Sequence, residues 1–98
     1  MSLPLVFLPQ VRDDVDEAYS WYEERRTGLG DAFLASLEET FSRIRATPAL
    51  SSLVYRDVRV RITKRFPYGV YFRILQDQIL VLAFVHHRRD RRVWRSRI

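Results

Sequence analysis

The sequence has no cysteine, only three glycines, and no apolar run long enough to span a membrane. Without cysteine, a disulfide framework and a thiolate metal site are both excluded. The longest unbroken apolar run, residues 79–85, is far shorter than the roughly 20 residues that cross a bilayer. The opening run, residues 3–8, is too short for a signal peptide and lacks the basic residues that precede one. We therefore expect a cytoplasmic protein that does not contact membranes.

Signatures of bound metals and cofactors are also missing. The two histidines, His86 and His87, are adjacent, which is not the spacing that zinc or iron sites use. No glycine-rich phosphate loop occurs, and no serine stands in a recognised hydrolase motif. We therefore expect neither a metal ion nor a cofactor.

The chain is rich in apolar residues and in unevenly distributed charge. Its 98 residues are 47% apolar and 13% aromatic, which suits one folded domain over residues 1–98. The first fifty residues carry a charge balance of −4, whereas residues 51–98 carry +9, almost entirely from arginine. A basic half of this kind indicates a phosphate-bearing or acidic partner, although a biased genome composition would raise the arginine count as well.

Two amphipathic helices are predicted after a short strand at residues 3–8. Their apolar residues recur at helical spacing, and acidic residues fill the first turns of the first helix, where the helix dipole favours negative charge. Gly28 and Gly30 are predicted to break the first helix, and Pro48 to end the second, so the two form an antiparallel hairpin. The predicted buried stripes are Val11, Val15, Ala18 and Tyr22, followed by Phe33, Leu37, Phe41 and Ile44.

The second half of the chain changes to the alternation of β-strands. Val58, Val60 and Ile62 alternate with polar residues that include Arg59 and Arg61, so one face is expected to pack and the other to present cations. Residues 70–75 form the next strand, and residues 79–85 are apolar on both faces, as expected of a strand inside a sheet. The prediction is an α+β fold in the order β-α-α-β-β-β, with the helical hairpin on one face of a small, mainly antiparallel sheet.

Four segments of the sequence resemble those of a known family in their order and spacing. They are the acidic helix at residues 13–22, Gly28-Leu29-Gly30-Asp31-Ala32-Phe33, Arg65-Phe66-Pro67-Tyr68, and His86-His87-Arg88-Arg89-Asp90 with Trp94 after it. Together they are similar to the RelE/ParE superfamily of toxins from type II toxin–antitoxin modules, and most similar to its ParE-like branch. The resemblance covers nearly the whole chain, and it implies the same fold.

The resemblance also implies a small toxin that a cognate antitoxin protein holds inactive, with operator DNA reached only through that antitoxin. ParE-type members poison DNA gyrase and stop replication, whereas RelE-type members cut messenger RNA on the ribosome. One fold carries both activities, so the fold alone does not choose between them. A third interpretation, a basic binding module without toxicity, stays open too. We expect the ParE-like activity, because the sequence lacks part of what a nuclease needs.

A RelE-like nuclease needs a base for the 2′-hydroxyl, cations for the phosphorane and an acid for the leaving oxygen. The resemblance implies that a tyrosine or histidine near the C-terminus supplies the acid or base, but Trp94 stands there and its indole does not titrate. If the chain is a nuclease, its candidate catalytic residues are His87, Arg89 and Arg61. Whether the protein is an enzyme is therefore open, with a non-enzymatic inhibitor favoured.

The remaining candidate residues are chosen for their charge or aromatic character. Alternation is expected to send the rings of His86 and His87 to opposite faces, and hydrogen bonding to the backbone is the plainer role for both. Residues 88–97 are expected to form an irregular helix or an exposed tail. The candidates for binding a target or phosphate are Arg59, Arg61, Lys64, Arg65, Arg73, Arg88, Arg89 and Trp94, and those for the antitoxin are Trp21, Tyr22, Arg73 and Arg89.

Overall fold

In the computed structural model, which describes residues 3–90 and 92–98, two helices pack on one face of a five-stranded sheet. The elements are β1 (Leu5–Phe7), α1 (Gln10–Arg25), α2 (Leu29–Ala46), β2 (Ser52–Tyr55), β3 (Val58–Ile62), β4 (Tyr68–Ile74) and β5 (Ile79–His86), with short 3₁₀ turns at Pro48–Leu50 and Val93–Arg97. The strand order is β1-β5-β4-β3-β2, with β1 parallel to β5 and the other pairs antiparallel. The predicted fold class is confirmed, and β2 is an additional strand that the sequence pattern does not reveal. Within the described ranges, neither helix is long and apolar enough to cross a membrane.

The main core lies between the helices and the sheet. Both predicted helical stripes face it, and Phe33 and Ile44 of α2 are almost completely buried. Phe72 of β4 and Phe84 of β5 are fully buried on the sheet side. Removing a side chain of this size from water contributes about 1.5–3 kcal/mol. The ring of Phe33 is the centre of an aromatic cluster, with centroids 5.0–5.3 Å from those of Tyr22, Phe66, Tyr68 and Phe84.

Two glycines shape the connection between the helices. Gly28, at the N-terminus of α2, has a φ of +90°, a conformation that is unfavourable for other residues. The prediction that Gly30 also breaks the helix is wrong, because Gly30 lies within α2. A Cβ at Gly30 would lie 2.7 Å from Cε2 of Tyr19, so the glycine permits close approach of α1. The carboxylate of Glu23 accepts hydrogen bonds from the amides of both glycines, at 3.0 Å and 2.9 Å, and thereby caps α2.

The cations of β3 face the helical layer instead of a free surface. Arg59 and Arg61 lie opposite Phe72 and Val70 in the register of β3 and β4, and both of those residues belong to the main core. Arg59 donates hydrogen bonds to two carbonyls, at 3.1 Å and 2.8 Å, and Arg61 donates to one at 2.8 Å, all within residues 47–51. This segment follows the C-terminus of α2, where carbonyls lack helical partners. The expected cationic face of β3 is therefore corrected: its arginines are half-buried and bond backbone carbonyls of the same chain.

The other face of the sheet is partly covered by the C-terminal segment. Trp94, in the Val93–Arg97 turn, is only 6% exposed and stacks on Tyr71 of β4, with ring centroids 5.6 Å apart. Val58 and Leu82 belong to the same smaller apolar cluster. The segment is thus an integral part of the fold: of the two predicted alternatives, the short 3₁₀ helix at Val93–Arg97 agrees with an irregular helix and not with an exposed tail.

A partly buried ion pair fastens this segment to α1 and to β5. The short strand β1 ends before the middle of β5, so the edge of β5 that follows has no neighbouring strand. Two side chains take its place: Asp14 accepts a hydrogen bond from the amide of Phe84 at 3.0 Å, and Arg97 donates to the carbonyl of Leu82 at 3.0 Å. The two side chains also bond each other twice, at 2.6 Å and 3.0 Å, with exposures of only 10% and 14%. The hydrogen bond to Asp14 raises the pKa of Arg97.

Replacing Arg97 with methionine is expected to destabilise the protein strongly, because the Asp14 carboxylate and the Leu82 carbonyl would then be buried without their donor. Breaking one partner of a fully buried ion pair costs about 3–5 kcal/mol, and we expect somewhat less for this partly buried pair, which urea unfolding measures. The exposed pair of Lys64 and Glu39, 3.1 Å apart, provides the control. Lys64→Met is expected to change the free energy of unfolding by less than about 1 kcal/mol. Equal effects of the two substitutions would contradict the structural role of Arg97.

Candidate functional site

An apolar groove of about 540 Å³ lies where β1 meets the two helices. Phe7, at the end of β1, is 43% exposed and packs edge-to-face on Phe41 of α2, with ring centroids 5.3 Å apart. An exposed apolar surface of this shape is a common site for a partner's helix. We term it the helical groove, and its lining residues are Phe7, Leu8, Pro9, Val11, Val15, Leu34, Leu37 and Phe41, together with Arg12, Asp16 and Glu38.

A smaller depression of about 100 Å³, termed the Arg89 cleft, lies where α1 meets the ends of β4 and β5. Tyr68 and His86 are in register on neighbouring strands, with ring centroids 5.7 Å apart. The cleft has room for one side chain or one phosphate group, but it is well below the volume of an ordinary small-molecule site. Its lining residues are Trp21, Tyr22, Pro67, Tyr68, His86 and Arg89.

Two consecutive residues of α1 contribute to the cleft in different ways. Tyr22 is buried, with its ring 4.9 Å from that of Phe66, and burial raises its pKa. Trp21 is 40% exposed, and the guanidinium of Arg25 lies 3.5 Å from the centroid of its ring. The side chain of Arg89 is 58% exposed, and its Nε lies 3.6 Å from a carboxylate oxygen of Asp90. The cleft therefore offers an exposed indole beside a cation that a partner can reach.

His86 is held in its neutral form by its surroundings. Its Nδ1 accepts hydrogen bonds from the backbone amides of Arg88 and Arg89, at 3.3 Å and 3.1 Å, so the proton of the neutral ring is on Nε2. Burial lowers the pKa of His86, and the charge of Arg89 lowers it further. Because its acceptor nitrogen is already engaged, His86 is poorly placed to act as a base.

His87, the residue after β5, lines a different depression from His86, although the two rings are stacked with centroids 6.0 Å apart and do not lie on opposite faces as expected. Its Nδ1 lies 2.9 Å from the carbonyl oxygen of Pro67, which makes this nitrogen the donor. The depression, about 280 Å³, also contains Tyr71 and Trp94, and within the described residues no arginine or lysine lines it. The structure does not bring together the three catalytic candidates: His87 lies here, Arg89 lies in its own cleft, and Arg61 is bonded to the segment after α2.

The other predicted binding residues are spread over the molecule. Trp21, Tyr22 and Arg89 meet in one cleft, whereas Arg73 is near the opposite end of β4 and donates a hydrogen bond to Asp57 at 3.0 Å. Among the candidates for a target, Lys64 pairs with Glu39, Trp94 is buried, Arg59 and Arg61 bond the backbone, and Arg65 and Arg88 are exposed.

Sequence reasoning missed the helical groove. The signal for it was weak, since Leu34 lies beside the main stripe of α2 and Phe7 belongs to a strand of only three residues. A widened apolar face on two consecutive helices was the available indication. Groups of three or more acidic or histidine side chains that could hold a metal ion do not occur in residues 3–90 and 92–98.

Comparison with known proteins agrees with this architecture. Residues 5–91 match the family described as the ParE toxin of the type II toxin–antitoxin system parDE. The chain belongs to the ParE toxin family. A solved structure described as the chromosomal ParDE TA system from P. aeruginosa superposes on 87% of this chain and 96% of that one, with a TM-score of 0.76 and 16% sequence identity. At that identity the likeness concerns the fold. No curated protein matches the sequence of this ParE toxin.

The neutral state of His86 makes the stability of this ParE toxin depend on pH. Folding lowers the pKa of His86, so the unfolded chain binds a proton more readily. The free energy of unfolding is therefore expected to fall as pH decreases below about 6.5. His86→Asn keeps an acceptor for the two amides but does not titrate, so its stability should depend less on pH. Urea unfolding of both proteins at about pH 7 and about pH 5 tests this. An equal loss of stability in both would contradict the role of His86.

Proposed function

We propose that this ParE toxin acts by binding and not by cleaving RNA: it inhibits DNA gyrase in the cytoplasm and arrests replication. The observation that carries the proposal is the state of the two histidines. The acceptor nitrogen of His86 is engaged by backbone amides, and the apolar depression at His87 is lined by none of the described arginines or lysines, the cations that a phosphorane needs. Trp94, at the position where a nuclease would have a titrating group, is buried against Tyr71.

The proposed contact with gyrase is the Arg89 cleft together with the neighbouring Arg88. Arg88 is exposed, and the side chain of Arg89 is 58% exposed, so a partner can reach both charges. Trp21 places an exposed aromatic ring in the same cleft. Tryptophan and arginine are the side chains that most often dominate the energetics of protein interfaces, and an acidic segment of the target complements this charge.

The proposed contact with the antitoxin is the helical groove. Its apolar lining and the exposure of Phe7 suit the apolar face of an amphipathic helix. An acidic segment that continues from this helix to the Arg89 cleft would cover Trp21 and Arg89 and would block the target site. Neutralisation then results from competition for one cleft, with most of the affinity supplied by the groove.

Expression of the toxin without its antitoxin is expected to stop DNA synthesis before protein synthesis. Pulse labelling of bacteria with thymidine and methionine, within minutes of induction, measures the order. Arg89→Glu is expected to delay the arrest and to weaken inhibition of purified gyrase by about tenfold or more, because it reverses the charge in the cleft.

Arg45→Glu is the control for this substitution, since Arg45 is exposed near the end of α2 and the change in net charge is the same. It is expected to leave the inhibition of gyrase unaltered. If methionine incorporation falls first, and message cleavage disappears in His87→Ala, the ribosome replaces gyrase as the target.

Leu34→Glu is expected to weaken antitoxin binding by about tenfold or more, because it places a charge in the apolar helical groove. The adjacent Ala35 is exposed and does not line the groove, so Ala35→Glu is the matched control. Titration calorimetry with the purified antitoxin measures both affinities, and thymidine labelling checks that both variants remain toxic. Full affinity in Leu34→Glu would exclude the groove as the antitoxin site.

A further inference from the structure

The hairpin between β2 and β3 contains an arginine in an unfavourable conformation. Arg56 and Asp57 form a two-residue turn, and Arg56 has a φ of +51°. Turns of this length usually have glycine or asparagine at such a position, because a Cβ is disfavoured there. A disfavoured residue at an exposed turn suggests a compensating role for its side chain, and the contacts of Arg56 indicate which one.

Arg56 and Arg95 both lie over the ring of Tyr55. Their Cζ atoms are 5.0 Å and 4.3 Å from its centroid, and the ring of Trp94 is 6.0 Å away. The hairpin and the C-terminal turn, which are distant in sequence, thereby hold two guanidinium groups next to one tyrosine. Stacking on an aromatic face fixes the plane of a guanidinium and leaves its N–H edge free to bind an anion.

Arg73 extends this surface. It lines a depression of about 320 Å³ with Tyr55, Arg56 and Asp57, and its Nε donates to Asp57 at 3.0 Å. Arg56 and Arg95 have no carboxylate partner in the part of the chain that the structure describes. Of these three arginines, Arg73 alone pairs with a carboxylate in the described residues. We term Tyr55, Arg56, Arg73 and Arg95 the arginine–tyrosine surface.

We propose that the arginine–tyrosine surface binds the phosphate backbone of duplex DNA. Guanidinium groups bond phosphate oxygens in pairs, and several of them on one surface can follow consecutive phosphates of a strand. The surface is on the face of the sheet away from the helices, near the opposite end of β4 from the Arg89 cleft. A partner bound in the helical groove or the Arg89 cleft leaves it accessible.

The choice of duplex DNA rests on the proposed function. Gyrase acts on DNA, so a toxin that is bound to gyrase lies next to the DNA. The contact is direct, in contrast to the expectation that DNA is reached only through the antitoxin. Contacts to phosphate oxygens position a protein on a duplex but do not read its base sequence. We therefore expect binding that is independent of sequence and strongly dependent on salt.

Fluorescence anisotropy with a labelled duplex of about 20 base pairs and unrelated sequence tests the proposal across a range of salt concentrations. The double variant Arg56→Gly and Arg95→Gln is expected to bind about tenfold more weakly and to lower the slope of log affinity against log salt by about 1.8. Glycine suits the φ of +51° at residue 56, so that substitution is not expected to lower the thermal midpoint. Weaker binding would then reflect the surface and not unfolding.

The control is the double variant Arg26→Gln and Arg45→Gln, which removes the same charge from exposed positions on the helices. It is expected to keep most of the affinity and the full salt slope. Equal losses in the two double variants, or no binding by the natural chain, would overturn the proposal. Tighter binding to single-stranded RNA of the same length would overturn the choice of DNA, and displacement by polyglutamate as effective as by DNA would overturn the choice of phosphate.

Inhibition of purified gyrase, measured alongside, keeps this inference separate from the proposed function. A natural chain that inhibits gyrase but does not bind the duplex refutes the arginine–tyrosine surface and leaves the proposed function standing. A natural chain that binds the duplex through Arg56 and Arg95 but does not inhibit gyrase refutes the proposed function and leaves the surface standing.

Discussion

The ion pair between Asp14 and Arg97 is the constraint on which the rest of the fold depends. A three-residue first strand cannot pair with the whole length of β5, and buried backbone groups need hydrogen bonds. Asp14 and Arg97 supply those bonds to β5 and bind each other, so a single contact joins the first helix, an internal strand and the C-terminal turn. The turn then holds Trp94 against Tyr71, and with it the guanidinium of Arg95 over Tyr55. The packing of the sheet face away from the helices thus depends on the hydrogen bonds that Asp14 and Arg97 make to the edge of β5.

The described arginines of the basic half include two groups with different roles. Arg59, Arg61 and Arg97 donate to backbone carbonyls of the same chain, and a guanidinium can bond two or more acceptors at once. Arg89 in its cleft and Arg56 in the turn between β2 and β3 are exposed to solvent, where a partner can bind their charges. The preference for arginine over lysine therefore has a structural origin as well as a functional one. Net charge counted along the sequence overstates the number of cations that are free to bind.

Local patterns predicted most of the fold, and contacts between distant segments account for what they missed. The helical stripes ending at Tyr22 and Ile44 and the apolar run within β5 follow from periodicity, and so does the confirmed fold class. The pattern does not reveal β2, because this strand has only four residues and is mostly exposed. The pattern also predicted that Arg59 points to a free surface. Alternation along a strand shows which face a side chain is on, but it does not show which groups the side chain bonds. Three of the predicted binding residues, Trp21, Tyr22 and Arg89, line one cleft. The positions of Arg73 and of the helical groove depend on how the strands pair, which only the folded chain defines.

The separation of Asp14 from Arg97, 83 residues along the chain, also sets the order in which the molecule can assemble. Contacts within the helical hairpin are local and form fast, whereas pairing of β1 with β5 requires closure of a loop that contains most of the sequence. During synthesis, both helices of the groove are complete long before the residues that build the Arg89 cleft have been added. A partner that recognises the groove can therefore capture the growing chain before the surface proposed to meet its target exists.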